Sequence, residues 1–223
     1  MERDGHGRGL KGPGADDGNW CAMTADSARL LLGRRRTRTS PAIVSGFLPS
    51  VMERIHSSDI GLVIWRRFTR LNLLVSASTV LMGQPFTLTV TDTPDVAARR
   101  LCRDLTLFHW ALYGDFRRLA RRFSALTASS VVRMRLEHVI DDSCRKFHVD
   151  AVGLRLLCTY AGPGTEWIDP CGKIRRMTTM EVAIFKGSAF PGAGPRILHR
   201  SPRLSSGTFV GQSRLVLCID AVS

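Results

Sequence analysis

The 223-residue chain is 44% hydrophobic and 23% charged, ordinary values for a globular protein and enough for one domain with a sizeable core. No run of about eighteen apolar residues occurs, which argues against a membrane-spanning helix. The formal net charge of +13 comes almost wholly from arginines scattered along the chain. Such a balance either attracts nucleic acid or an anionic surface, or simply coats the protein with solvated cations; the second is the commoner case.

Residues 1–40 are rich in Gly, Asp, Ser and Arg and read as a flexible basic N-terminal segment. A short apolar patch (Ala28, Leu30, Leu31, Leu32) could form a helical turn there. The dense run Arg34-Arg35-Arg36 with Arg38 has no interleaved aromatic residues, so it lacks the base-stacking signature of single-strand binders. No apolar secretory stretch opens the chain, so a cytoplasmic location is expected. The six cysteines (Cys21, Cys102, Cys144, Cys158, Cys171 and Cys218) form no Cys-x-x-Cys pair and read as reduced thiols. Cys158 and Cys218 lie in apolar runs and are expected in the core; burial is expected for Cys144 too.

Residues 41–223 read as one domain, mainly helical with a few strands over 41–130 and β-rich over 131–223. Ser50-Val-Met-Glu53 fits a capping box opening a short helix. Asp59 to Trp65 reads as a buried strand, being short and β-branched with polar flanks. Leu71 to Met82 is ambiguous between helix and strand, and Phe86 to Val90 alternates as a strand. Thr93-Pro94 is a helix start, a capping residue followed by proline at the first helical position. Ala97, Leu101, Leu105, Phe108 and Leu112 then mark one face of a long helix, with a stop or kink at Gly114 and a second helix through Phe116, Leu119 and Phe123. The other faces carry Arg99, Arg100, Arg103, Arg117, Arg118, Arg121 and Arg122, a basic surface that nucleic acid or acidic lipid could meet, though a solvated outer face is the plainer account. His109 is expected to be structural.

From Val131 the texture changes. Val132, Met134, Leu136 and His138 alternate with charged residues, Asp141-Asp142-Ser143 is a turn, and further strands are expected over 152–160, 181–186, 196–199 and 214–219. Gly/Pro turns separate them, above all Ala161-Gly162-Pro163-Gly164, and this pattern predicts a β-sandwich or jelly roll. Just before these strands stands His148-Val149-Asp150. On an extended strand, residues i and i+2 share a face, so one imidazole and one carboxylate project together. His199 is the third candidate. Two histidines and one carboxylate on one side of a metal leave the other positions open, the arrangement of non-haem Fe(II) oxygenases.

Several longer strings carry a resemblance. They are Cys144-Arg-Lys-Phe-His148-Val-Asp150, Arg155-Leu-Leu-Cys-Thr-Tyr160-Ala-Gly-Pro-Gly-Thr-Glu-Trp167, His199-Arg-Ser-Pro202 and Arg214-Leu-Val-Leu-Cys-Ile-Asp220. With them, residues of about 60 to 220 resemble domain-of-unknown-function family 1826, a bacterial family. More distantly, the C-terminal half resembles prolyl-hydroxylase-like 2-oxoglutarate/Fe(II) dioxygenases. That resemblance implies an α+β protein, a helical N-terminal half packed on a C-terminal double-stranded β-helix (jelly roll). It implies His148, Asp150 and His199 as metal ligands and catalytic centre. It also implies Arg214 as the residue binding the far carboxylate of 2-oxoglutarate, with Tyr160 or Thr159 adding a hydroxyl and Arg203 in reserve.

The implied cofactors are Fe(II) and 2-oxoglutarate, and the substrate would be a small molecule or a protein side chain. Two other readings stay open at this point. One is a non-catalytic zinc- or iron-binding β-sandwich, with Cys144 or Cys158 as an extra ligand. The other is a basic nucleic-acid-binding module. Arg214 could instead pair with Asp220, Glu166 or Asp169, Arg155 and Arg135 could be plain strand-face charges, and Trp167 could pack under the turn or line a pocket.

Overall fold

The computed structural model describes residues 42–68, 70–105, 109–142 and 144–222. The expected flexible segment 1–40, with its apolar patch, arginine run and Cys21, lies outside them, as does Phe108.

The N-terminal part holds β1 (Ile43–Gly46), a 3₁₀ segment (Pro49–His56), β2 (Leu62–Trp65), α1 (Leu71–Leu81), β3 (Phe86–Asp92), α2 (Pro94–Arg103) and α3 (Trp110–Thr127). The C-terminal part holds β4 (Val132–Val139), β5 (Leu154–Ala161), β6 (Glu166–Ile168), β7 (Ile174–Arg176), β8 (Val182–Lys186), β9 (His199–Arg200) and β10 (Arg214–Ala221). The architecture is α+β. A seven-stranded mixed sheet runs β1-β2-β8-β5-β10-β4-β3, and a three-stranded sheet runs β7-β6-β9. Among the described strands, β1 and β2 pair in parallel and the other pairings are antiparallel. An isolated bridge between His148 and His199 adds one more rung outside β9.

The large sheet is covered on both faces, which explains why β2 and β8 are apolar without alternation. Leu156, Leu217 and Ile219 on one face pack with Leu73 and Ala77 of α1, Leu101 of α2, and Phe116, Leu119 and Phe123 of α3. Leu62, Ile64, Ala183 and Phe185 on the other face pack with Trp167, Met177 and Ile197 of the small-sheet layer. The layers are therefore helices, large sheet, small sheet. Phe116 meets Tyr160 edge-on with ring centroids 5.3 Å apart. Removing either ring from this core would cost about 3–5 kcal/mol.

Several local expectations change. The segment at Pro49–His56 is 3₁₀ rather than α, and no side chain caps it; Pro49 opens it, so Ser50 already lies inside the turn. Leu71–Leu81 resolves as helix, its buried residues Leu73, Ala77 and Val80 spaced by helical turns. The long helix expected through Leu105 is two helices, because α2 ends at Arg103 and α3 starts at Trp110. The two helices pack on each other, with Asp95 in the first turn of α2 paired to Arg117 and Arg121. Gly114 is no stop; it lies inside α3. The short strand near His199 comprises His199–Arg200 rather than residues 196–199. Arg196 instead turns back, donating to the carbonyls of Phe190 and Gly192. No described helix is long and apolar enough to cross a membrane.

Candidate metal centre and its cavity

His148 and His199 are far apart in the chain and adjacent in space. Each donates its backbone N–H to the other's carbonyl at 3.0 Å, so they form a directly opposed antiparallel pair. Side chains of such a pair leave the sheet on the same face, and their ring centroids lie 4.8 Å apart. Asp150, two residues after His148, joins them: its Oδ1 is 3.5 Å from His148 Nε2 and its Oδ2 is 3.0 Å from His199 Nε2. One ligand atom from each of the three lies within 4.8 Å of the others. The backbone of Asp150 is fixed by Ser188, whose N–H donates to the Asp150 carbonyl at 2.8 Å. Gly187 permits that approach, since a Cβ there would lie 2.7 Å from the same carbonyl oxygen.

The donor set suits a cation. His148 Nδ1 faces the Lys146 carbonyl at 2.9 Å, and His199 Nδ1 faces the Ile197 carbonyl at 3.3 Å. A carbonyl accepts only, so the proton of each neutral ring belongs on Nδ1, and both Nε2 lone pairs point at the carboxylate. The buried Asp150 Oδ2 has no hydrogen-bond partner. Lone pairs and an ionised carboxylate facing one another at these distances repel unless a positive charge sits among them. Burial pushes the Asp150 carboxyl up, and with both rings neutral it is the Arg155 guanidinium that pulls it back down.

Arg155 is the residue that sequence reasoning undervalued. It donates from Nη1 to Asp150, and from Nε and Nη2 to the two oxygens of Asp220 at 2.7 and 2.8 Å. A half-buried fork thus ties the candidate ligand on the loop to the last strand of the sheet. The sequence signal was available: Arg155 is a charge on an otherwise apolar strand, five residues from Asp150.

Arg214 lines the same cavity of about 90 Å³, together with His148, Asp150, His199, Leu157 and Val216. It is 2% exposed. Its Nη1 donates to Ser201 Oγ at 2.9 Å, and its Nη2 to Thr159 Oγ1 and Thr165 Oγ1, both at 3.1 Å. Nε is buried without a partner. The surface pairings open at the sequence level are not made, because each carboxylate is taken: Asp220 by Arg155, Glu166 by Arg176 and Arg200, Asp169 by Arg175. Burial pulls Arg214 down to about 10, against the attraction of Glu137, Cys144 and Glu166.

The structure brings together His148, Asp150, His199, Arg214 and Thr159. It does not bring Tyr160 there. Successive strand residues face opposite ways, so Thr159 turns toward Arg214 while Tyr160 turns to the helices, where its hydroxyl donates to Asp115 at 2.5 Å. Arg203 is exposed and does not line the cavity. Cys158 also faces the helices, accepting from Arg67 Nη2 at 3.2 Å, which removes it as an alternative ligand. Cys144 lines the cavity but is exposed rather than buried, on a backbone with φ of 56° that keeps it out of any strand. Trp167, on β6, is partly buried against the core cluster that includes Leu62 and Phe185. His109 precedes α3, half-buried, and burial lowers its pKa.

A family model described as "Protein of unknown function (DUF1826)" matches residues 48–220. Among curated proteins none matches the sequence significantly. Solved structures similar to it include a full-length Neurospora crassa protein in complex with alpha-KG and 5-formyluracil, at 10% identity and a TM-score of 0.49, covering 82% of this chain and 87% of that one. A Pseudomonas putida prolyl-4-hydroxylase is 11% identical with a TM-score of 0.45, covering 77% and 96% of the two chains. A bsmA homolog from Methylobium petroleophilum is 12% identical with a TM-score of 0.44, covering 78% and 92%.

Proposed function

The chain belongs to the DUF1826 family, and from that premise we propose an activity that the family's description does not state: a non-haem Fe(II)/2-oxoglutarate-dependent oxygenase of the hydroxylase type. The observation that carries the reading is Arg214, a buried guanidinium with no carboxylate partner among the described residues, lining the cavity into which two imidazoles and a carboxylate converge. One half of the cavity suits a cation and the other suits an anion. A small 2-oxo dicarboxylic acid that chelates the cation and extends its far carboxylate to Arg214 answers both.

Topology supports the reading. From β4 onward the chain winds between the layers, giving β4-β10-β5-β8 in one sheet and the His148 rung, β9, β6 and β7 in the other. That is the strand order of a double-stranded β-helix, with the candidate centre between its two sheets.

His148, Asp150 and His199 would hold the metal, which when bound with the 2-oxo acid supplies oxidation of a substrate by O₂. The chain's own groups do the rest. Arg155 keeps Asp150 ionised and aimed. Arg214 binds the distal carboxylate in a fork that Ser201, Thr159 and Thr165 hold in place. Leu157 and Val216 keep the cavity wall apolar and limit water. His148, whose side chain is 37% exposed, marks the open side from which a substrate would approach.

The test is formation of succinate from 2-oxoglutarate in air with Fe(II) and a reductant. Wild type is expected to form succinate well above the protein-free control, and His148→Ala and Asp150→Ala are expected to fall to it. Wild-type protein no better than the control would refute the reading.

A further inference from the structure

A second charged and apolar feature lies on the helix side of the large sheet, away from the metal cavity. Phe47 follows β1 and Phe68 follows β2, and the two residues are 62% and 88% exposed. Their rings are nearly parallel, 22° apart, with centroids 6.1 Å from each other. They border a cleft of about 250 Å³ whose base includes Trp65, Leu73 and Met180. The rings stand on a firm frame. β1 pairs with β2 over Ile43–Gly46, Trp65 Nε1 donates to the Phe47 carbonyl at 3.0 Å, and the Arg66 N–H donates to the Gly46 carbonyl at 2.8 Å.

Around this pair the charge is one-sided. The guanidiniums of Arg67, Arg118 and Arg122 all lie within 5.8 Å of the Trp65 ring centre. Asp115 answers Arg67 and Arg118, and Glu181 lies 3.7 Å from Arg66. Arg70 and Arg122 have no carboxylate partner among the described residues. By contrast Arg117 and Arg121, which directly precede Arg118 and Arg122 on α3, are both committed to Asp95. Along α3 the guanidinium left without a carboxylate among the described residues is therefore that of Arg122, beside the Trp65 ring.

We propose that this face binds single-stranded nucleic acid, with bases stacking on Phe47 and Phe68 and phosphates meeting Arg70 and Arg122. Exposed phenyl rings interleaved with unpaired guanidiniums match a polyanion that carries planar groups along its length. The exposed rings offer flat faces on which bases can stack. A duplex keeps its base faces stacked inside and leaves the phenyl pair unused; phenyl rings also enter an anionic lipid interface, and the vesicle arm of the experiment separates that case. The site is separate from the metal cavity and does not depend on the oxygenase reading.

The experiment is fluorescence anisotropy of a labelled oligodeoxythymidylate with the full-length protein over a salt series. Binding is expected to weaken with salt and to be about ten-fold tighter than for a matched duplex. The double variant Phe47→Ala/Phe68→Ala should bind at least about ten-fold more weakly, the loss expected from removing base-aromatic stacking. Its thermal unfolding should stay near wild type, because both rings are exposed. Arg70→Ala/Arg122→Ala should flatten the salt slope by about 1.4, at roughly 0.7 for each phosphate contact on a single strand. Unchanged affinity in the phenylalanine variant would overturn the proposal. So would equal binding to duplex or to phosphatidylserine vesicles, or a self-association that the variant abolishes while oligonucleotide binding persists.

Discussion

Burying a guanidinium without a counter-charge is costly, and at Arg214 three hydroxyls offset only part of it. Replacing it with an apolar residue of similar length should therefore leave the ligand-free protein as stable as wild type or more so. The same Arg214→Met variant should bind 2-oxoglutarate roughly ten- to hundred-fold more weakly, the scale of one or two lost charge-assisted hydrogen bonds. Thermal unfolding and a 2-oxoglutarate titration of the Fe(II)-loaded protein check the two halves. Asp115 is the opposite case, a buried carboxylate fully engaged by Arg67 through two 2.8 Å contacts, by Arg118 and by Tyr160. Burial pushes its carboxyl up, but Arg67 and its other partners hold it below the usual 3.8. Its contribution is thus present above the ordinary carboxylate pKa and is lost as pH falls through the lower folded value. Asp115→Asn should cost about 3–5 kcal/mol at neutral pH by leaving Arg67 buried and unpaired. The variant's stability should also fall less steeply than wild type's on acidification below about pH 4, as read by denaturant unfolding. The histidines and Asp150 were legible in the sequence as residue types at a telling spacing. Arg155 was legible only as a charge on an apolar strand, its partner Asp220 lying 65 residues on, and Asp115 was not legible, since Arg67 is 48 residues away.

At the scale of elements, strand alternation decides which neighbours share a site. Thr159 and Tyr160 were equal candidates by name, yet period two allows only one of them to face Arg214. A strict reading of β5 would have separated them. The α2–α3 break was less accessible, since apolar spacing runs on through Leu105 while the break is imposed by packing and by the Asp95 pairs. Gly162 shows how closely the site depends on backbone approach. Its φ is 77°, and a Cβ would lie 2.0 Å from the Ser213 carbonyl oxygen and 2.8 Å from Arg214 Cα. β5 and β10 shift register beside this point, between Leu215 and Val216. Gly162→Ala should therefore destabilise the fold by at least about 1 kcal/mol and loosen 2-oxoglutarate binding while metal affinity holds. Calorimetric titration with each ligand in turn distinguishes the two effects.

For the whole molecule, the family strings made an α+β chain with a β-rich C-terminal half legible before any coordinates. What they did not contain was the closure of the small sheet, because β6, β7 and β9 span only two or three residues each and carry no periodic signal of their own. That closure is what sets His199 opposite His148. The aromatic cleft was likewise hidden, since Phe47 and Phe68 meet only once β1 and β2 pair. In the proposed oxygenase, one cation and one 2-oxo dicarboxylate share the cavity between the two sheets. Anaerobic addition of Fe(II) and then 2-oxoglutarate to the full-length protein tests it most directly, read as a visible charge-transfer band. The band should form with wild type, require both additions and vanish in Asp150→Ala. A protein that gives no band, or one whose band survives in Asp150→Ala, would contradict it.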